Sequence, residues 1–490
     1  MRDASKLKIG IENEIPESIV IGKGTALHIS GWCSHPILKA MSVEITIADN
    51  KQQALLFHCR QPGDASSSGI DGVENSPSHT IFWSIVPIIQ CDRERLAEVV
   101  LSVTLNDNSK VCKKLGEIKL YPSLPEYSII TNVEPSPPTN DPLIAIAMAT
   151  YNPPINLFRK QIQSIISQSY TNWVCLISDD NSDKDSLTKM MTVIGTDRRF
   201  VISSTTQRLG FYRNFERCLT MVPQSAQYVA LSDQDDYWYP DKLQTMLDYF
   251  NDNTSLVYCD MRVLDESDEV ISDTFWSFRK NNLSDLGVQL VINSVTGAAS
   301  IFTRRLLDFM LPFPQGIGNL HHDHWIGCVA MAVGSLHWID RPLHDYIQHG
   351  QNVTGFAETP SPSAFRMIYD NLRALRTREG RIVARQIYFD HVPRISLMSQ
   401  IIFIRCGSLI SQNNLKSLHR LAHLCDSIKS VFWFCFRSLL SRKTANKLNG
   451  ADYYVLLGIL WGFIFGFNNF LKLTLLQKLY TLNKFSIHRK

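Results

Sequence analysis

The segment YVALSDQDDYWYPDKL, Tyr228 to Leu243, runs an apolar stretch into three carboxylates, Asp233, Asp235 and Asp236, divided only by Gln234. Acids this close repel one another and are costly to desolvate unless a cation neutralises them. Carboxylate oxygens are hard ligands, so Mg2+ or Mn2+ is the expected ion, and such ions keep positions open for substrate phosphates. The competing explanation is turn chemistry, because Asp caps helices well and Pro240 suits a first helical position. A cap uses one Asp and leaves two unexplained.

Three further clusters carry chemistry. ISDDNSD, Ile177 to Asp183, ends another apolar stretch in acids. Asp183 is expected to cap the next helix, while Asp179 or Asp180, at the strand tip, offers an acceptor for the N3–H of a pyrimidine. LHHDHWIG, Leu320 to Gly327, holds Asp323 among His321, His322 and His324. A base poised in a cleft is the reading for Asp323, with a helix-start cap as its alternative. Three histidines this close on one short element point too variously for a zinc site. YIQHGQN, Tyr346 to Asn352, adds His349 as a candidate for metal or diphosphate.

The elements that position these clusters begin at Leu143. LIAIAMAT is a continuous apolar run, as for a strand buried on both faces, and WVCLISDD, RFVISST and YVALSDQDD follow as further strands. Helix-like stretches separate them, with Leu157, Ile162, Ile165 and Ile166 on one side of the first and FYRNFERCLTMV forming another. Strand–helix–strand units of about thirty residues imply a mainly parallel sheet. Ligands of such sheets gather beyond the carboxyl ends of the strands. Here those ends are Thr150-Tyr151-Asn152, Asp179-Asp180 and Asp233 to Asp236, three polar clusters on one rim.

The remaining chain divides around this unit. Residues 1–125 read as short β-branched or aromatic strands between turns, predicting a β-sandwich accessory domain. Prolines concentrated in 126–142 mark a linker. The α/β unit is expected over 143–360, and a basic helical region over 361–490. From His391 onward the chain carries +12, leaving −9 for the remainder of a net +3. That asymmetry points to something anionic, a membrane surface or nucleic acid, with solvated basic helix faces as the alternative; an anionic membrane surface, and no nucleic acid, is the partner expected. Residues 453–471 are uncharged, near the roughly twenty a spanning helix needs. Gly458, Gly462 and Gly466 share a face there that suits close helix packing. Eleven scattered cysteines without a C-x-x-C pair read as reduced thiols. The N-terminal MRDASKLKIG has no secretion signal, so the bulk of the chain is expected at the cytoplasmic face of a membrane.

ATYN, SDDNSD, RLGFYRNF, LSDQDDYWYPDKL, HHDHW and YIQHGQN occur in the order and spacing of glycosyltransferase family 2, and the chain from Leu143 to Gly355 resembles its rhamnosyltransferase-like members. The resemblance implies a GT-A fold, a Rossmann-like nucleotide-binding half merged with an acceptor-binding half. It implies that Thr150, Tyr151 and Asn152, with Asp179 or Asp180, hold the nucleoside of a UDP- or dTDP-sugar. Arg208 or Arg213 would place the base or phosphates, Asp233 would lie near the ribose, and Asp235, with Asp236 and His349, would hold Mg2+ or Mn2+. Asp323 matches the catalytic base, while Gly297 in NSVTGAASIF and Trp325 would flank the donor. The function so implied is inverting transfer of a sugar, rhamnose among the candidates, to a glycan or lipid-linked acceptor in bacterial surface polysaccharide synthesis. One departure is Ile347, where relatives often have an Arg that contacts the diphosphate. The alternatives are a nucleotidyltransferase on a similar fold and a non-catalytic glycan-binding scaffold.

Overall fold

The computed structural model describes residues 4–59, 78–122, 141–276, 281–318, 320–350, 369–370, 373–440 and 451–465. All but the last two residues of the expected linker, 126–142, lie outside them, as do Gln351, Asn352 and the apolar run beyond Phe465.

The first part of the chain forms strands β1 (Lys8–Ile11), β2 (Ser18–Val20), β3 (Ala26–His35), β4 (Ala40–Ile47), β5 (Asn50–Gln53), β6 (Leu55–Cys59), β7 (Ser78–Pro87), β8 (Arg95–Leu105) and β9 (Lys110–Tyr121). They make a four-stranded sheet in the order β1-β3-β7-β6 and a five-stranded sheet in the order β2-β9-β8-β4-β5. Alternating residues of both, among them Leu27, Ile29, Val43, Ile45, Phe82, Val99, Leu101 and Leu120, fill one shared core. The opposite face of the four-stranded sheet is apolar too: Phe57, Ile81 and Trp83 are buried in a second core, against the C-terminal helices.

The central sheet holds β10 (Ile144–Thr150), β11 (Trp173–Asp179), β12 (Phe200–Ser204), β13 (Tyr228–Ser232), β14 (Tyr237–Trp238), β15 (Thr254–Asp265), β16 (Val270–Ser272), β17 (Ser300–Thr303) and β18 (Ser335–Gln348). Its order is β12-β11-β10-β13-β17-β15-β18-β14, with β16 on β15. Strands β10 to β13 are mutually parallel, whereas β17 runs antiparallel to both β13 and β15. The chain passes from β10 through α1 (Ile155–Ile166), β11, α2 (Lys184–Ile194) and β12, then through α3 (Phe211–Thr220) to β13 on the other side of β10. Strand order therefore reverses between β10 and β13, which opens a crevice at their carboxyl ends. The pleat explains why β10 is apolar throughout: Ile144, Ile146 and Met148 enter the core under α1 and α2, and Ala145 and Ala147 enter the core under α3.

Short helices α4 (Lys242–Leu247), α5 (Leu286–Val291) and α6 (Leu307–Met310) precede α7 (His322–Val333) and the C-terminal helices α8 (Arg378–Cys406), α9 (Gln412–Ala422), α10 (Ile428–Leu440) and α11 (Ala451–Phe465). The 29-residue α8 joins the three regions. Its Arg385 pairs with Glu12 at 2.8 Å, and Arg405 donates to the carbonyls of Lys23, Met310 and Pro312 at 2.7 to 3.0 Å. Part of the C-terminal positive charge is thus used inside the protein: Arg394 and Arg405 are buried and Arg437 pairs with Asp285 at 2.7 Å.

The glycine face of α11 is also used internally. A methyl group at Gly458 would lie 2.7 Å from the backbone of Tyr388, and one at Gly462 would lie 2.2 Å from its ring, so only glycine lets α11 approach α8 this closely. Val455, Leu456, Ile459 and Trp461 are buried in that contact. Among the described residues no helix is long and apolar enough to cross a membrane.

Candidate active site

A cavity of about 820 Å³ opens at the crevice between β10 and β13. Its wall includes Thr150, Tyr151, Asn152, Asp180, Arg208, Asp233, Asp235, Gly297, His322 and Asp323, drawn from segments spread over more than 170 positions of the chain.

The β10 and β11 tips are tied together by Asp179. It is fully buried and accepts from Thr150 Oγ1 at 3.3 Å, Ser182 Oγ at 2.5 Å and Ser204 Oγ at 2.7 Å. Asp179 therefore holds strand ends and does not line the cavity. Asp180 does line it, and its carboxylate accepts the backbone N–H of Leu209 at 2.6 Å and of Gly210 at 2.9 Å. Those bonds fold the loop so that the Arg208 guanidinium stacks 3.9 Å above the Tyr151 ring. Gly210 has φ of 78°, a conformation that favours glycine and places α3 directly after this loop. Asn152 supports the same rim by accepting from the Asp183 N–H at 3.0 Å, and Asp183 caps α2 through Ser186 N at 2.8 Å. Arg213 faces away, pairing with Glu216 at 2.6 Å and donating to the Phe313 carbonyl. Of the two arginines considered for the base or phosphates, only Arg208 reaches the cavity.

Beyond β13 the three acids separate. Asp233 and Asp235 line the cavity, whereas Asp236 is fully buried on the far side of the turn, with His344 Nε2 at 4.0 Å and Lys242 as its opposing charge. Successive residues of an extended turn project to opposite sides, so Asp236 is removed from any ion held by Asp235. Burial, with Asp235 and Asp323 adding repulsion, pushes the Asp233 carboxyl up to about 7, and Lys242 works against that rise. Burial and the same neighbouring acids push Asp236 well above the usual carboxylate range. None of the three caps α4, whose N-cap position is Asp241.

β18 returns beside β14 and β15 and delivers His349 to this corner, its Nε2 2.9 Å from Asp235 Oδ2. That bond raises the His349 pKa against the opposing effect of burial. Ile347, the departure from the family pattern, is buried. Among the described residues no three His, Cys, Asp or Glu side chains form a metal cluster, so Asp235 and His349 stand as a pair. Asp235 lines the cavity, while the His349 side chain is nearly buried beside it; a hard carboxylate and a borderline imidazole are donors that would suit a divalent ion.

Asp323, which lines the same cavity, lies in the first turn of α7 and accepts from the His324 N–H at 2.7 Å. Of the neighbours in HHDHW, His321 and His322 line the cavity. His324 Nε2 lies 2.6 Å from the Gln289 carbonyl oxygen, and burial holds its pKa down to about 3. Trp325 is fully buried and donates to the Met310 carbonyl at 3.0 Å. It sits two residues past Asp323, about 200° around the helix, and so faces the core and not the donor. Gly297 packs against this turn; a Cβ there would meet His322 Nε2 at 2.7 Å.

Two residues matter here that sequence reading passed over. Lys242, fully buried, donates to the Ala298 carbonyl at 2.7 Å and lies 4.1 Å above the Trp238 ring, so it ties α4 to the glycine wall. A lysine on the apolar side of the α4 pattern was the available signal. His322 is the other, and its neighbour Asp323 had drawn the attention.

A parallel half-sheet and a switch-point cavity walled by separated carboxylates make an α/β unit of the kind that binds ligands at its strand ends. Residues 145–310 match the family model described as Glycosyl transferase family 2. The chain is 22% identical over 193 residues to an uncharacterized glycosyltransferase of Methanocaldococcus jannaschii, covering 39% of this chain and 65% of that one. It is 24% identical over 129 residues to the UDP-Glc:alpha-D-GlcNAc-diphosphoundecaprenol beta-1,3-glucosyltransferase WfgD of Escherichia coli, covering 26% and 49%. The chain thus spans between about half and two thirds of the length of these relatives. Among solved structures, S. aureus TarS 1-349 in complex with UDP-GlcNAc aligns at 14% identity and a TM-score of 0.36, over 65% of this chain and 90% of that one.

Proposed function

We propose that this chain is an inverting glycosyltransferase of GT-A type that moves a sugar from a UDP- or dTDP-linked donor to a hydroxyl of a glycan or lipid-linked acceptor. The observation that carries the reading is one cavity lined by acids from two separate elements, Asp233 and Asp235 beyond β13 and Asp323 at the start of α7. Tyr151, Arg208 and Asp180 form the end of the cavity suited to a pyrimidine nucleoside. The Tyr151–Arg208 stack presents a flat cationic surface, and the Asp180 carboxylate has lone pairs left for an N3–H.

Asp235 and His349 would hold Mg2+ or Mn2+. When bound, that ion offsets the charge growing on the departing diphosphate. The acceptor oxygen bonds to the anomeric carbon as the carbon–phosphate oxygen bond breaks on the opposite face. Asp323 takes the acceptor proton, and the nucleoside diphosphate leaves with the bonding pair. Gly297 keeps the wall between the two sites open for a sugar ring. Rhamnose is the transferred sugar that the motif resemblance favours.

Bacterial surface polysaccharide synthesis at the cytoplasmic face of a membrane fits a lipid-linked acceptor. Exposed Phe432 and Phe436, one turn apart on α10, and Ile464 on α11 supply apolar contact for such a surface. Thermal-shift measurements with UDP, dTDP and GDP, each with and without Mn2+, test the reading. A Mn2+-dependent shift with UDP or dTDP supports it, and no shift with any of them refutes it.

A further inference from the structure

The turn that carries Asp235 and the strand that delivers His349 are joined by a carboxylate outside the cavity wall, that of Asp345. The turn runs directly into β14, which is two residues long and lies at the edge of the sheet. Its ladder to β18 sets Tyr237 opposite Asp345 and Trp238 opposite His344, and the Tyr239 N–H adds one bond to the Leu343 carbonyl at 3.0 Å. Strands this short fix a register poorly unless side chains assist.

Asp345 supplies that assistance. It is buried in β18, and both neighbours of that strand bond to it. From β15, Arg262 stands directly opposite and donates through Nε to Oδ1 at 2.8 Å and through Nη2 to Oδ2 at 3.0 Å. From the end of β14, the Tyr239 hydroxyl donates to Oδ1 at 2.6 Å. A two-pronged guanidinium–carboxylate pair fixes direction as well as distance. Burial, with the Asp345 bond adding to it, pushes the Tyr239 phenol up, so it stays a donor through the neutral range. Asp345 and Ile347 share one face of β18, and His349 follows two positions on. Tyr346 lines the cavity, whereas Asp345, Arg262 and Tyr239 do not.

We propose that Asp345 is a positioning residue: with Arg262 and Tyr239 it clamps the acid turn onto β18 and so sets the Asp235–His349 pair that would hold the divalent ion. The assignment rests on the glycosyltransferase reading above and concerns residues that touch neither donor nor acceptor. It acts through the metal pair and leaves the nucleoside end, with Tyr151 and Arg208, to its own loop.

The test compares wild type with Asp345→Leu, which removes the clamp, Asp345→Asn, which keeps an acceptor for the phenol, and Tyr239→Phe, which removes one donor. Mn2+ is titrated into the UDP-bound proteins by calorimetry, and uridine, which has no phosphate for the ion to bridge, is titrated by NMR without metal. D345L should weaken Mn2+ binding about tenfold or more, with uridine affinity within about twofold of wild type. Y239F should lose about threefold and D345N less than D345L. Metal-free amide exchange over 237–239, read by mass spectrometry, should quicken about tenfold in D345L. Should D345L fail to fold, Y239F and D345N are read in the same way. Mn2+ affinity equal to wild type in the folded variants overturns the assignment alone. Equal losses of Mn2+ and uridine affinity also overturn it, because Asp345 then supports the fold at large. Wild-type protein that takes up no Mn2+ with UDP or dTDP overturns the metal reading above and this inference with it.

Discussion

His349 Nε2 lies 2.9 Å from Asp235 Oδ2, joining the end of β18 to the turn after β13 across 114 positions of the chain. The contact places the only histidine of the YIQHG stretch on the cavity-lining acid proposed to hold the metal. Asp235→Asn should abolish Mn2+-dependent binding of UDP, because a carboxamide is a poor ligand for a hard ion. His349→Phe should weaken Mn2+ binding by at least about tenfold. Calorimetric titration of Mn2+ into the UDP-bound protein checks both.

Arg208 and Tyr151 should act on the base and not on the ion. Removing a solvent-exposed cation–π stack costs about 0.5–1 kcal/mol, so Arg208→Gln is expected to weaken UDP binding about two- to fivefold with Mn2+ affinity unchanged. Equal effects on both titrations would contradict the separation of nucleoside and metal ends.

Lys242 is a buried cation whose removal leaves the Ala298 carbonyl without its donor and Asp236 without its opposing charge. Lys242→Met should destabilise the fold by about 3–5 kcal/mol in urea unfolding. The double variant with Asp236→Asn should recover part of that loss, since the uncompensated carboxylate is then gone. Additive losses would show that the two residues do not oppose each other.

Stability should fall in mild acid, and His28 offers a way to measure one contribution. Burial holds its pKa at about 4, against 6.5 for an exposed histidine. Between those values only the unfolded chain takes up the proton, so stability that is full above pH 6.5 is lost as pH falls. From pH 7 to pH 5 the loss from this one group is about 2 kcal/mol. Raised carboxyls such as Asp233 act in the opposite sense, gaining a proton in the folded state as pH falls, so the wild-type total is a difference. His28→Leu should flatten the urea-derived stability between pH 7 and 5 by about that 2 kcal/mol, whatever its effect on the level at pH 7.

Much of the site could be read from where polar residues interrupt apolar strands. Thr150, Asp180 and Asp233 follow runs buried on both faces, and the order of those runs placed them on one rim. What spacing did not reveal was direction. Asp179 precedes Asp180 by one residue and turns into a knot of hydroxyls; Asp236 follows Asp235 and turns under the sheet. Trp325 was separable from Asp323 by helix geometry alone, once α7 was known to begin at His322. The partner of the α11 glycines was not readable at all. The same spacing serves a lipid-facing pair and a soluble one, and only the long-range contact with Tyr388 identifies the neighbour. The setting of His322 was not readable either, because its packing neighbours Phe215 and Gly297 lie more than 20 positions away.

The central claim is that Asp323 takes a proton from an acceptor while Asp235 sits at the diphosphate. The most direct measurement is product analysis after incubation with nucleotide sugars, Mn2+ and p-nitrophenyl glycosides, for wild type and Asp323→Asn. The account predicts a glycosylated acceptor of inverted anomeric configuration and free nucleoside diphosphate from wild type. In Asp323→Asn the rate should fall by about 10²–10⁴-fold with donor affinity intact. Release of pyrophosphate in place of nucleoside diphosphate, or an Asp323→Asn rate equal to wild type, would contradict it.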